Sequence, residues 1–150
     1  MATGVRGEIY DMRLRMQEGA TELNLKRGPG GVVDIEFLVQ LLILKHGREL
    51  PRLRRPNTLD AIDGLREAGI LSEADWDYLA TSYQVLRSVQ GRLRLMNMTA
   101  LNDLPKAADE LAKLAALLGY PDSEKLLTDC RELRKENRAM LERVVAGACG

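Results

Sequence analysis

A chain of 150 residues is the length of one domain and can bury a core without disulfide or metal staples. Its 22 basic residues are balanced by 22 acidic ones, which excludes a generic polyanion binder and leaves only local charged patches open. One Phe, one Trp and four Tyr are too few for a base-stacking surface, so no nucleic-acid partner is expected.

In chain order, residues 5–18 place Ile9, Met12 and Met16 at helical spacing ahead of Gly19. Residues 19–31 are the least helical stretch, with Gly28, Pro29, Gly30 and Gly31 in a row. Residues 32–46 read as an apolar second helix. A loop over 47–57 follows, carrying Pro51, Pro56, Arg48, Arg52, Arg54 and Arg55. Asn57 or Thr58 caps a third helix over 59–68, and Gly69 ends it. Ser72 caps a fourth, with Asp75 three residues on, which runs to about Met98, roughly 40 Å at 1.5 Å per residue. Asp103 and Pro105 open a fifth that stops at Gly119, and Ser123 starts a sixth that reaches about Val145. No stretch alternates with period two between hairpin turns. The pattern predicts an all-α bundle of about six helices in a single domain over 1–150, with a long central helix at 72–98. Residues 1–4 and 146–150 are expected to be disordered tails.

The lone histidine, His46, excludes a multi-histidine metal site and leaves little room for a histidine-based triad. Cys130 and Cys149 make no metal or redox spacing, which fits a reducing, cytoplasmic setting. The longest apolar run, FLVQLLIL, is far too short to span a bilayer, and no secretion signal opens the chain, so no membrane partner is expected.

Two acid pairs, Asp34 with Glu36 and Asp75 with Asp77, have the D-x-acid form that on a strand holds one Mg²⁺ for nucleotidyl transfer. On a helix the two members lie about 200° apart and do not chelate one ion. Asp75 and Asp77 follow Ser72 and read as acids at the positive end of a helix dipole. Val33, Ile35 and Phe37 alternate with Asp34 and Glu36 like a half-buried strand. The apolar run, however, continues to Gly47 without a turn signal, too long for a typical strand. The stretch therefore reads as helix, with no catalytic residue and no metal ligand.

On a helical wheel Glu36 and Gln40 form a polar stripe among Val33, Phe37, Ile43 and Leu44. A charge in an apolar face needs a partner. The fourth helix offers Arg87 or Arg94, with Gln40 and Gln90 completing a buried polar network that also takes in Asp34. With such a network, Glu36→Ala is expected to cost about 3–5 kcal/mol. In the alternative, the arginines snorkel to solvent and Glu36 faces a partner domain.

Gly28, Gly30 and Gly31 at a helix entrance, beside Lys26 and Arg27, have the make-up of an anion site built from free N–H groups. Neither phosphate-loop spacing is met, and such loops are more often tight connections. Asp34 competes with an incoming phosphate there and is expected to cap the helix or hold Lys26.

The segments LKRGPGGVVDIEFLVQLLIL, LRRPNTLDAIDGLREAGILS and YQVLRSVQGRLRL together resemble the helical domain that follows each nucleotidyltransferase domain in glutamine synthetase adenylyltransferases. A related helical domain occurs in the uridylyltransferase that modifies the PII protein. The family pattern K-x-G-x-G-G-x-x-[DE]-I-E-F-x-x-Q is met by Lys26, Gly28, Gly30, Gly31, Asp34, Ile35, Glu36, Phe37 and Gln40. The likeness covers roughly 5–145; Gln90 stands where the family often has Glu. The nucleotidyltransferase signature, Gly-Ser or Gly-Gly about ten residues before a D-x-D strand, is absent, so the chain reads as a piece of a longer enzyme or a member without its catalytic half.

The resemblance implies a non-catalytic accessory or regulatory domain. Its parent transfers AMP from ATP to a tyrosine of glutamine synthetase with Mg²⁺, or removes it by phosphorolysis, in response to glutamine and PII. Implied partners are an adjacent nucleotidyltransferase domain, glutamine synthetase and PII, with Lys26, Arg27, Gly28, Gly30 and Gly31 reaching nucleotide phosphates or the interdomain surface. ATP and Mg²⁺ belong to the parent, and no cofactor is expected in this segment. The competing expectation is an interaction module without nucleotide contact.

Overall fold

The computed structural model describes residues 3–96 and 102–147. Six α-helices lie among them: α1 Thr3–Gln17, α2 Val32–His46, α3 Thr58–Glu67, α4 Glu73–Leu95, α5 Ala108–Leu117 and α6 Ser123–Val145. A single 3₁₀ turn, Pro51–Leu53, sits in the loop before α3. The all-α prediction holds, and the second helix falls on its expected bounds. Residues 97–98 of the expected fourth helix, and the tail residues 1–2 and 148–150, lie outside the described residues. Thr3 and Gly4, expected in a tail, belong to α1.

Local chemistry sets most of the boundaries. Asn57 caps α3 by accepting from the Leu59 and Asp60 amides, and Ser72 caps α4 by accepting from Asp75 N at 3.1 Å. Asp122 caps α6 through Lys125 N at 2.8 Å, one residue before the Ser123 start. The fifth helix begins later than expected. Asp103 is drawn instead into an isolated antiparallel bridge with Asn24, whose Nδ2 donates to Asp103 Oδ1 at 2.7 Å. Leu25 N also donates to Asn102 O, and Leu104 N to Leu23 O. The irregular segment 19–31 is thus tied across the molecule to the α4–α5 connection.

The packing centres on α2, which contacts α1, α3, α4 and α6. Burial around nearly its whole circumference explains why its sequence is apolar without the clean stripe of a surface helix. Leu38, Leu41 and Leu42 meet Leu65, Leu79, Leu86, Leu93 and Leu141 in one continuous core. Only Gln40 and Leu44 of α2 are exposed, with Glu36 half-buried one turn before Gln40. Trp76 closes one corner. Its Nε1 donates to Asp63 at 2.8 Å, and Arg66 lies 4.1 Å above its ring.

The first helix is rotated from the sequence expectation. Met12 and Met16 face solvent, at 49% and 38% exposure, whereas Arg13 is fully buried. A charged residue displaces the apolar ones because its partners wait inside, at the entrance to α2.

Candidate functional site

The family-like motif at 26–40 straddles the entrance to α2, and the glycines there serve close backbone approach. Gly30 has φ +73°, and a Cβ on it would fall 1.7 Å from the Arg134 carbonyl oxygen on α6. A Cβ on Gly31 would meet the Leu25 and Lys26 carbonyls at 2.6 and 2.7 Å. Both contacts are closer than any side chain tolerates, so the loop reaches α6 only as glycine.

The amides expected to cradle phosphate are engaged within the fold. Gly30 N donates to Asp34 Oδ2 at 2.7 Å. Gly31 N donates to Gly28 O, Val32 N to Leu25 O, and Val33 N to Lys26 O, at 2.9–3.1 Å. The start of α2 therefore holds no open row of donors of the kind that binds anions.

Asp34 is the buried acid of this site. Its side chain is 0% exposed and accepts from the Arg138 guanidinium through Nε at 2.7 Å and Nη2 at 3.1 Å. Arg13 Nε approaches Oδ1 at 2.6 Å, an ionic contact without an aligned N–H. Arg13 Nη2 donates to the Arg27 and Gly28 carbonyls, both at 3.0 Å, so the loop is clamped from α1. Its Nη1 is buried without a partner among the described residues. Burial lowers the Arg13 pKa against the attraction of Asp34. For Arg138, burial is outweighed by the hydrogen bond and charge of Asp34, and the pKa rises. Asn137 completes the clamp, donating to Gly30 O at 2.9 Å and accepting from Ser82 Oγ at 2.9 Å.

The expected network around Glu36 is corrected accordingly. Glu36 is half-buried and, among the described residues, has no ion pair within 4.0 Å. Burial raises its pKa, against the opposing charges of Arg87 and Lys26. Arg87 turns to Gln90 Oε1 at 3.1 Å, and the buried Gln90 donates to Asn102 Oδ1 at 3.0 Å. Gln40 and Arg94 are exposed and take no part. The helix rotation that buries Asp34 at the first turn places Glu36 and Gln40 along the solvent edge of α2. Neither expected role for Asp34 is met as stated: its carboxylate takes the Gly30 amide, ahead of the N-cap Gly31 and outside the helix, and its charge partners are Arg13 and Arg138 in place of Lys26. Sequence spacing held no signal for those partners, which come from the two ends of the chain.

Lys26 and Arg27 are exposed on the loop. Among the described residues no three His, Cys, Asp or Glu side chains form a metal-holding group, and no helix is long and apolar enough to cross a membrane.

Fold and site together define a helical-bundle domain closed around a glycine-rich helix entrance. The chain belongs to the GlnD PII-uridylyltransferase family, whose model matches residues 7–145. It is similar to proteins described as bifunctional glutamine synthetase adenylyltransferase/adenylyl-removing enzyme. The Bradyrhizobium sp. protein is 34% identical over 81% of this chain, and that of Streptomyces coelicolor 37% over 75%. The Corynebacterium diphtheriae protein is 37% identical over 77%. The chain spans only 12–13% of the length of these relatives.

Proposed function

We propose that this chain is an accessory helical domain in the adenylylation or deadenylylation of glutamine synthetase, contributing a docking face and no catalytic group. The observation that carries this reading is a division within the motif. Gly28, Gly30, Gly31 and Asp34 are consumed by the fold, whereas Lys26, Glu36 and Gln40 remain at the surface. Glu36 is a half-buried acid without an ion pair among the described residues, a state suited to a cationic group on an abutting domain. That neighbour is proposed to be the nucleotidyltransferase domain, which would bring ATP and Mg²⁺. Glutamine synthetase as substrate, PII as regulator and a bacterial cytoplasmic setting come with this proposal.

The engaged amides of Gly30, Gly31, Val32 and Val33 favour a face that touches protein over one that holds nucleotide. The test is a chimera in which this chain replaces the matching segment of the Streptomyces coelicolor relative, assayed for AMP transfer to glutamine synthetase. Activity should survive the exchange and fall at least tenfold with Lys26→Glu or Glu36→Lys. An active chimera indifferent to both charge reversals would refute the docking face. Calorimetry of this chain with ATP and Mg²⁺ should show no binding to the loop amides.

A further inference from the structure

Beside Pro29 of the glycine loop, α6 forms one wall of a recess of about 420 Å³. Arg131, Arg134, Lys135 and Arg138 line it, with Pro29 and Glu22 opposite. These four cations stand at i, i+3, i+4 and i+7, so they share one helix face. In a chain of zero formal net charge, this is a segregated basic strip: Glu132 and Glu136 sit on a different face of the same helix and line a separate cavity.

Among the described residues, three of the four cations have no carboxylate partner, and only Arg138 is ion-paired, to Asp34. Arg131 and Lys135 are exposed and, among the described residues, have neither a hydrogen bond nor an ion pair. Arg134 donates to two carbonyls, those of Cys130 and Glu22, and to no carboxylate. These bonds fix its guanidinium at the mouth without cancelling its charge. Burial lowers the Arg134 pKa, against the attraction of Cys130 and Glu22, and the nearby Arg131 charge adds to the lowering. Arg138 shares the single charge of Asp34 with Arg13.

We propose that this recess binds an oligophosphate group, two or more linked phosphates of a small molecule. Its cations spread over about 10 Å of helix at 1.5 Å per residue, farther than one phosphate reaches. Guanidinium forks match phosphate oxygens in pairs, and lysine adds a mobile point charge. Pro29 is the only apolar residue of the lining, which leaves no pocket for the hydrophobic anchors of a protein partner. The Glu22 carboxylate is the one opposing charge. The site is separate from the proposed docking face and does not depend on it.

Titration calorimetry of this chain with tripolyphosphate at constant ionic strength tests the proposal. Saturable one-to-one binding is expected. It should weaken at least tenfold in Arg131→Ala/Lys135→Ala and tighten in Glu22→Gln, which keeps the backbone carbonyl that Arg134 uses. All three altered residues are exposed, so the melting temperature should stay at the parent value. Absence of saturable binding, an unchanged affinity in the double variant, or equal binding of sulfate or a hexaglutamate peptide would overturn it.

Discussion

Arg13 and Asp34 meet inside the bundle with Nε and Oδ1 2.6 Å apart and both side chains at 0% exposure. Asp34 also takes the Gly30 amide and the Arg138 guanidinium. Removing it would leave Arg13 buried without an anion and the loop without its anchor. Buried ion pairs add little over a good apolar core, but breaking one strands the survivor. Asp34→Ala is therefore expected to destabilise the chain by about 3–5 kcal/mol, measured by urea unfolding. Arg138→Ala, at a partly exposed position, should cost less. A loss below about 1 kcal/mol for Asp34→Ala, the scale of an exposed pair, would mean that the clamp does not hold the entrance.

The glycines separate into two kinds. At Gly30 the positive φ and the 1.7 Å approach to Arg134 O leave no room for a methyl group. Gly30→Ala should cost about 4 kcal/mol or more, in the tail of single-substitution effects. Gly91, inside α4, has open space where a Cβ would stand. Gly91→Ala should stabilise by about 0.5–1 kcal/mol through helix propensity. Thermal or urea melts of the two variants should move in opposite directions, and a common direction would contradict this account of the motif.

The helices were legible because their signals are local: caps at Asn57 and Ser72, stops at Gly69 and Gly119, and an uninterrupted apolar run from Ile35. The motif could be read as one unit but not divided into parts. Whether Asp34 or Glu36 faces inward depends on which flank of α2 is covered, and the cover comes from α1 and α6, more than a hundred residues apart in sequence. Arg13 was hidden for the same reason. Between Met12 and Met16 it looks like a surface residue, and only nonlocal partners, the Asp34 carboxylate and the carbonyls of Arg27 and Gly28, make its burial tolerable. α5 starts later than its sequence signal because Asp103, which has the chemistry of a helix cap, is taken by a nonlocal bridge to Asn24.

Glu36 gives the opposite expectation to Asp34. Its folded pKa lies above the ordinary 4.5 because burial disfavours the carboxylate. The protonated form therefore favours folding, and this contribution is present below pH 4.5 and is lost as pH rises through the folded value. At pH 7 Glu36→Gln should melt no lower than the parent chain, and any gap between them should close toward pH 4. A marked loss of stability at pH 7 would restore the paired, buried Glu36 that the helical wheel suggested.

Cys130 offers a probe of the α6 interface. It is 0% exposed, and burial pushes its thiol up to about 11. The Arg134 charge pulls against that rise without reversing it. Because the thiolate is the reactive form, both access and ionisation oppose attack at pH 8. In a Cys149→Ser background, Cys130 should react with a disulfide reagent only at the rate of opening, and fully in denaturant. Gly30→Ala, which forces the loop away from α6, should speed that reaction. Asp34→Ala should do the same by loosening Arg138 from the loop. Rapid labelling of the folded parent chain would contradict a sealed α6 core, whereas slow labelling that accelerates in both variants would tie the seal to the glycine entrance and its clamp.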